Sequence, residues 1–149
     1  MRSRVVIYVE RGDTLLVFDH RGQPEAGTQV PAGGVDEGED LVDAAIREVR
    51  EETGVVLDST PVLLGAFEHV DGIGELALSH FFRVDAPVGL ADGWQHVVGG
   101  EGDDRGLVFD CRFDAAPALW PVQAVFRSGG HDAPALHDGS PEARVRRTE

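Results

Sequence analysis

The chain has 149 residues, a length that fits one domain with a core of its own, and 42% of them are hydrophobic. Its formal net charge of −14 argues against nucleic acid as a partner, because binding a polyanion along the surface requires a basic stripe. The single cysteine, Cys111, excludes an internal disulfide and a cysteine-rich zinc site.

The first predicted elements are two strands joined by a tight turn. Residues 5–9 (VVIYV) and 14–18 (TLLVF) are rich in β-branched and aromatic side chains, and the turn between them contains Gly12, which predicts a β-hairpin. The charged residues before the first strand do not resemble a signal peptide, and no apolar run is long enough to cross a bilayer. We therefore expect a cytoplasmic protein without a membrane partner.

A polar segment follows the hairpin. Residues 19–28 (DHRGQPEAGT) are predicted to form a surface loop close to the glycine turn that comes next in the chain. His20 and Arg21 of this loop are candidate substrate contacts. Ordinary loop polarity is the alternative interpretation for each of them.

A glycine turn and an acidic helix form the centre of the sequence. Gly33 and Gly34 permit the backbone to approach a bound ion or phosphate closely. Residues 39–53 have the apolar spacing of a helix, and Gly54 is a typical residue to end it. This helix carries the acidic residues on which the functional prediction depends.

Three carboxylates of the predicted helix call for a cation. Glu48, Glu51 and Glu52 converge beside the apolar face, and like charges at such spacings destabilise a helix by roughly 0.2 to 0.5 kcal/mol per pair. Arg47 could neutralise one of them but not all three. Mg²⁺ prefers oxygen ligands and is usually held by few carboxylates together with substrate phosphates. The alternative is a solvated acidic face on a surface helix.

The second half of the chain predicts two more strand pairs and a second helix. Strands are expected at residues 61–69 and 75–84 and at 94–98 and 107–113, with a loop rich in glycine and acid at 99–106. Residues 115–127 predict a short helix whose apolar side chains, Trp120 among them, pack on the sheet, although two prolines limit it. This order of elements predicts an α+β (mixed α/β) fold with a central sheet between two helices.

The composition changes at residue 128. Residues 128–149 contain few large apolar side chains and many turn formers, which predicts a mobile polar tail after a domain at 1–127. The arginines of the tail could dock on the acidic body or on the second subunit of a homodimer. A solvated end is the alternative.

The glycine turn and the helix together carry a complete motif. Residues Gly33 to Val55 match G-x5-E-x7-R-E-U-x-E-E-x-G-U, in which U is a bulky apolar residue, at every position. This segment resembles the Nudix box, the signature of Nudix hydrolases. The resemblance implies an α/β/α sandwich around a central mixed β-sheet. It also implies an enzyme that hydrolyses a diphosphate bond in a nucleoside diphosphate linked to another group X.

The resemblance assigns a metal site to this segment. Glu48, Glu51 and Glu52 would hold one or more Mg²⁺ ions, for which Mn²⁺ could substitute. The backbone carbonyl of Ala32 or Gly33 would be a further ligand. The partner of the protein would be a small phosphorylated nucleotide, its substrate.

Other residues are assigned supporting roles. By resemblance, Arg47 would orient a glutamate of the box and Glu39 would fix the loop against the helix, while Gly33 and Gly34 would lie at the substrate. Many Nudix enzymes take a further acid from a loop outside the box as metal ligand or general base. We favour Glu101 of the 99–106 loop, because glutamate has the reach and flanking glycines let the loop fold inward. The alternatives are Asp103, Asp104, Glu68 and Glu75.

The sequence leaves X open. Nucleotide sugars, ADP-ribose-like compounds and dinucleoside polyphosphates compete with a house-cleaning (d)NTP pyrophosphatase. A non-catalytic nucleotide sensor on the same fold is a different class of function, and the intact acidic cluster counts against it. A structural domain with an acidic helix is a third, and it predicts no rise in melting temperature with divalent cations.

Overall fold

The computed structural model describes residues 1–127 and the backbone of residues 144–147. Its strands and helices, in chain order, are β1 (Arg2–Arg11), β2 (Thr14–His20), β3 (Thr28–Gln29), β4 (Ala32–Gly34), α1 (Leu41–Thr53), β5 (Val62–Val70), β6 (Leu76–Asp85), β7 (Gly93–Val97), β8 (Val108–Asp114), α2 (Pro121–Ala124) and β9 (Arg144–Arg147). A 3₁₀ turn at Pro24–Ala26 lies in the loop between β2 and β3.

The strands form one mixed sheet. Its order is β7-β8-β2-β1-β6-β5-β9, with β3 on β2 and β4 on β1. Strand β1 pairs in parallel with β6, from Arg2↔Ala77 to Glu10↔Asp85, and antiparallel with β4. This confirms the predicted α+β arrangement with a central mixed sheet.

The two faces of the sheet have separate apolar cores. Alternate residues of β1 supply both, because successive side chains of a strand point to opposite faces. On one face Val5 and Ile7 pack in the same cluster as Ala45 and Val49 of α1. The cluster on the other face consists of Val6, Tyr8, Leu15, Val17, Val30, Phe67, Phe81, Val125 and Phe126.

Helix α1 begins and ends at residues suited to those positions. The side chain of Asp40 accepts a hydrogen bond from the backbone N–H of Val42 (2.8 Å), which caps the first turn. At the other end Gly54 has a left-handed conformation (φ 80°), and its N–H donates to the carbonyl of Arg50. The helix thus begins two residues later than the predicted 39–53 because Asp40 is the cap.

The predicted C-terminal helix is wrong in length. Only Pro121–Ala124 is helical, since Pro117 and Pro121 prevent a longer run and Pro121 stands at the first turn. Trp120 does not pack on the sheet as expected. It is 52% exposed, and its indole N–H donates to the carbonyl of Ala26 (2.9 Å). The residues after it, Val125 and Phe126, do pack there.

The predicted tail lies largely outside the described residues. Residues 128–143 and 148–149 belong to that part, and the domain boundary at residue 127 stays a prediction. The backbone of β9 pairs antiparallel with β5, from Gly65↔Arg147 to Glu68↔Arg144, a strand that the sequence did not predict. Among the described residues, no helix has both the length and the apolar character needed to cross a bilayer.

Candidate active site

A cleft of about 690 Å³ opens between the glycine turn, the acidic side of α1 and the loop after β7. A volume of this order is typical of pockets for small molecules. The cleft is lined by Arg2, Arg4, residues 32–36, Arg47, Glu48, Glu51, Glu52 and residues 98–105. The structure therefore brings together the glycine turn, the helix acids and the 99–106 loop, which were predicted from the sequence to form one site.

Two glycines leave room for the carboxylates of the helix. A Cβ atom at Gly33 would lie 2.2 Å from the Cδ of Glu48, and one at Gly100 would lie 2.4 Å from the Cδ of Glu51. Strand pairing fixes the first of these positions, because Gly33 lies opposite Val5 of β1. Each glycine is therefore needed for the close approach of a carboxylate to backbone.

Arg47 holds the acidic residues in place. Its guanidinium donates to both carboxylate oxygens of Glu39 (2.8 and 2.9 Å), to Glu48 (2.8 Å), to Glu51 (3.2 Å) and to the carbonyl of Gly34 (2.9 Å). The hydrogen bonds to Glu39 are the main cause that raises the pKa of Arg47, and the same bonds lower the pKa of Glu39. The sequence predicted contact with one acid, whereas in the structure Arg47 hydrogen-bonds three, and Asp36 Oδ2 also lies 3.7 Å from its Nε.

Glu39 also connects the turn to the helix. Its Oε1 accepts a hydrogen bond from the backbone N–H of Asp36 (3.0 Å) while its carboxylate binds Arg47. The glycine turn is in this way fixed to α1 through a charge-assisted hydrogen bond.

Glu48 and Glu52 are buried acids. Their relative exposures are 8% and 6%, and burial raises the pKa of Glu48 to about 7 despite its bond to Arg47. The pKa of Glu52 lies well above its ordinary value, first because of burial and second because of the charge of Glu48. Glu52 accepts a hydrogen bond from the N–H of Ala32 (2.8 Å), and within the described residues no cation lies at ion-pair distance from it.

The donor set suits a hard divalent cation. It offers carboxylate oxygens from α1 next to the backbone of the glycine turn, and a buried carboxylate without a cation is stabilised by one. No three His, Cys, Asp or Glu side chains in the part of the chain that the structure describes are already arranged around a common point. Glu48 and Glu51 are instead hydrogen-bonded to Arg47.

The loop after β7 contributes three more acids to the cleft. Glu101 and Asp103 are exposed on its rim, and Asp104 is partly buried. The charge of Asp104 contributes to raising the pKa of Glu52, after burial and the charge of Glu48. Glu68 and Glu75 lie outside the cleft lining. Which loop acid takes part in the chemistry stays a prediction, with Glu101 the residue favoured from sequence.

The loop and the edge strand β7 fasten the C-terminal end of α1. The carbonyl of Glu51 accepts hydrogen bonds from His96 Nε2 (2.9 Å) and from the N–H of Gly99 (3.0 Å). The indole N–H of Trp94 donates to the carbonyl of Thr53 (2.8 Å). These contacts use carbonyls that a helix end leaves without partners, so β7 sets the position of the last acidic turn.

The structure does not bring His20 and Arg21 to the cleft. His20 lies at the end of β2 with its ring against Phe109 (centroids 4.4 Å apart), and neither ring nitrogen has a hydrogen-bond partner among the described residues. Arg21 faces Asp110, with 3.5 Å between Nε and Oδ2. Neither residue lines the cleft. The β2–β8 register, which sets His20 opposite Phe109, is the physical reason.

Three arginines line the cleft although the sequence did not predict them there. Arg2, Arg4 and Arg105 line it beside the acids. The chain has no lysine, so every fixed positive side chain must be an arginine, and this could have directed attention to the arginines next to predicted strands.

A family model and a curated relative each match part of this chain. The NUDIX domain model matches residues 1–108. A stretch of 51 residues is 53% identical to an RNA pyrophosphohydrolase from Caulobacter vibrioides, covering 34% of this chain and 30% of that protein, so the match spans under a third of that relative's length.

Solved structures share the fold at low sequence identity. The crystal structure of a MutT NUDIX hydrolase from Burkholderia pseudomallei aligns with a TM-score of 0.60 and 22% identity over 83% of this chain and 93% of that one. A NUDIX hydrolase from Nitrosomonas europaea aligns with a TM-score of 0.52 and 24% identity over 76% of this chain and 70% of that one. These similarities agree with the mixed sheet and the packing of α1 described above.

Proposed function

The chain belongs to the NUDIX domain family, and from this premise we propose that it is a Mg²⁺-dependent hydrolase of a diphosphate bond in a nucleoside diphosphate linked to another group X. The substrates we propose are nucleotide sugars, ADP-ribose-like compounds and dinucleoside polyphosphates. The cytoplasmic location and the homodimer expected from the sequence stay predictions.

One observation carries the proposal. Glu52 is a buried carboxylate that accepts a hydrogen bond from the glycine turn, is close enough to Glu48 for that charge to raise its pKa, and in the described part of the chain has no cation at ion-pair distance. Burying an unpaired carboxylate costs several kcal/mol by order of magnitude, and a solvated surface helix would have no such residue. A bound divalent cation offsets that cost, which supports a metal site over a structural acidic face.

Each residue of the site would have a distinct role. Glu48, Glu51 and Glu52, with the carbonyl of Ala32, would hold Mg²⁺, which when bound neutralises phosphate charge and activates water. Arg47 keeps the carboxylates at the cleft, and Glu39 keeps Arg47 oriented. The carboxylate of Glu101 accepts the proton of the water that attacks phosphorus. The bond from phosphorus to the bridging oxygen breaks, and the other half of the diphosphate leaves on that oxygen.

The test is a panel of nucleotides assayed with Mg²⁺, with Mn²⁺ and with EDTA. Nucleotide sugars, ADP-ribose and dinucleoside polyphosphates should release a mononucleotide only when a divalent cation is present. Release of pyrophosphate from (d)NTPs alone would favour the house-cleaning alternative. Binding without turnover, seen as a rise in melting temperature, would favour a sensor.

A second candidate function is pyrophosphohydrolysis of an RNA. It is favoured by the 53% identity to an RNA pyrophosphohydrolase over 51 residues, and opposed by the net charge of −14. A short triphosphorylated RNA belongs in the same panel. Faster turnover of this RNA than of every small nucleotide would replace our proposal with this one.

The acid outside the helix is located by single substitutions. Glu101→Gln, Asp103→Asn and Asp104→Asn each remove one charge from the cleft loop, and Glu25→Gln, exposed in the 3₁₀ turn outside the cleft, is the matched control. We expect Glu101→Gln to lower kcat most. Equal activity of the three loop variants and the control would mean that the proton acceptor lies elsewhere.

A further inference from the structure

Arg4 has a fixed place at the floor of the cleft. It belongs to β1, between Gly34 of β4 on one side and Ser79 of β6 on the other. Its backbone carbonyl also accepts a hydrogen bond from Nδ1 of His80 (3.1 Å). The backbone of a residue paired on both sides in this way cannot move far, and the half-buried side chain of Arg4 lines the cleft together with Glu48 and Glu52.

The guanidinium of Arg4 acts electrostatically on Glu48 and Glu52 and lowers the pKa of both, but no carboxylate of the described residues lies within ion-pair distance of it. The other partly buried arginines of the cleft form ion pairs, Arg47 with three glutamates and Arg2 with Asp71. The chain has 27 acidic residues for 13 arginines, so an arginine without a partner is not explained by a shortage of acids. A partly buried cation in this position is stabilised by an anion that comes from outside the chain.

We propose that Arg4 binds non-bridging oxygens of the substrate's diphosphate, opposite the carboxylates that would hold the metal. A guanidinium is planar and can donate two parallel hydrogen bonds to one phosphate. Arg105, also at the cleft, is exposed on the loop and has no strand to fix it. This inference rests on the proposed function, and it names the residue that overcomes repulsion between an anionic substrate and an acidic cleft.

The inference predicts opposite effects on two ligands. Arg4→Gln removes a positive charge that attracts phosphate and repels metal. The affinity for α,β-methylene ADP with Mg²⁺, measured by calorimetry, should fall roughly 10- to 100-fold, the range of charge-assisted hydrogen bonds. The affinity for Mn²⁺ alone should be unchanged or higher. Arg4→Lys keeps the charge without the planar fork and should lie between wild type and Arg4→Gln.

The control is Arg50→Gln, which removes the same charge from an exposed position of α1 outside the cleft. It should bind both ligands as wild type does. In turnover, Arg4→Gln should raise KM more than it lowers kcat, because the contact exists before and during bond cleavage. If Arg4→Gln fails to fold, judged by its melting temperature, Arg4→Lys carries the test.

Three outcomes would overturn the inference. One is analogue affinity in Arg4→Gln equal to that of Arg50→Gln. Another is a parallel loss of Mn²⁺ and analogue affinity, which a merely structural role would give. Inorganic pyrophosphate binding with Mg²⁺ is measured in the same variants, and wild-type protein that does not bind it also overturns the inference. Absence of turnover across the nucleotide panel with pyrophosphate binding intact would reject the proposed function and leave the role of Arg4 standing.

Discussion

The buried position of Glu48 makes the stability of the metal-free protein depend on pH. Burial raises the pKa of this carboxyl from an ordinary 4.5 to about 7, so the folded state holds the proton more tightly than the unfolded state does. The resulting stabilisation is complete below the unfolded pKa of 4.5 and is lost as pH rises through about 7. Glu52, whose pKa is also raised by burial, acts in the same direction.

The magnitude follows from the two pKa values. Between about pH 5 and about pH 8, ionising Glu48 should remove roughly 2.5 kcal/mol from the free energy of unfolding. For a chain of this size that corresponds to roughly 5 to 10 °C in melting temperature. Glu48→Gln has no proton to lose, so its stability should fall less over the same range, by about that amount.

Urea denaturation in EDTA at several pH values measures the effect. The quantity of interest is the difference in unfolding free energy between Glu48→Gln and wild type, which cancels the titration of histidines common to both proteins. This difference should grow with pH, whereas the difference for the exposed control Glu25→Gln should stay flat. A difference for Glu48→Gln that does not change between about pH 5 and about pH 8 would refute the reasoning.

Three further predictions concern single side chains. Glu52→Gln should lower turnover by orders of magnitude with little loss of stability, and near wild-type kcat would remove Glu52 from the site. Gly33→Ala places a methyl group where the Glu48 carboxylate lies, so it should abolish Mn²⁺ binding. The urea midpoint should change little, because only the end of the Glu48 side chain must move. Retained Mn²⁺ affinity would contradict this. Tyr8→Phe removes the hydroxyl that accepts from the N–H of Phe126 and donates to the carbonyl of Gln123, and should cost about 1 to 3 kcal/mol in urea denaturation. An unchanged midpoint would contradict this.

Local signals made much of the fold predictable. The apolar spacing of α1, its glycine end and the β-branched runs of the strands depend on neighbours in sequence, and the structure confirms them. The pairing of β1 with β6 is different, because residues far apart in the chain must meet. The second helix was overestimated because its apolar residues suggested a helix that Pro117 and Pro121 do not allow.

The same distinction between local signals and long-range contacts applies to the site. The box predicted which acids share a turn, since that follows from helical periodicity. The box could not predict that Arg47 hydrogen-bonds three of the acids, because this depends on side-chain conformations. It also could not predict that Arg4 lines the cleft, because this depends on strand pairing with Gly34. His20 was expected at the cleft from its nearness in sequence, but the register of β2 with β8 directs it to Phe109.

The attachment of α1 to β7 makes the position of the acidic residues of the site depend on one strand. Among the described residues, strand β7 lies at the edge of the sheet and pairs with β8 alone. Trp94 and His96 of this strand hydrogen-bond the carbonyls of Thr53 and Glu51 in the turn that carries Glu51 and Glu52. Because the last turn of α1 is held by an edge strand, we expect it to open locally at a lower free energy than the central sheet. We therefore expect heating to abolish the proposed activity before the central sheet unfolds, and tighter β7–β8 pairing to bring the two temperatures closer.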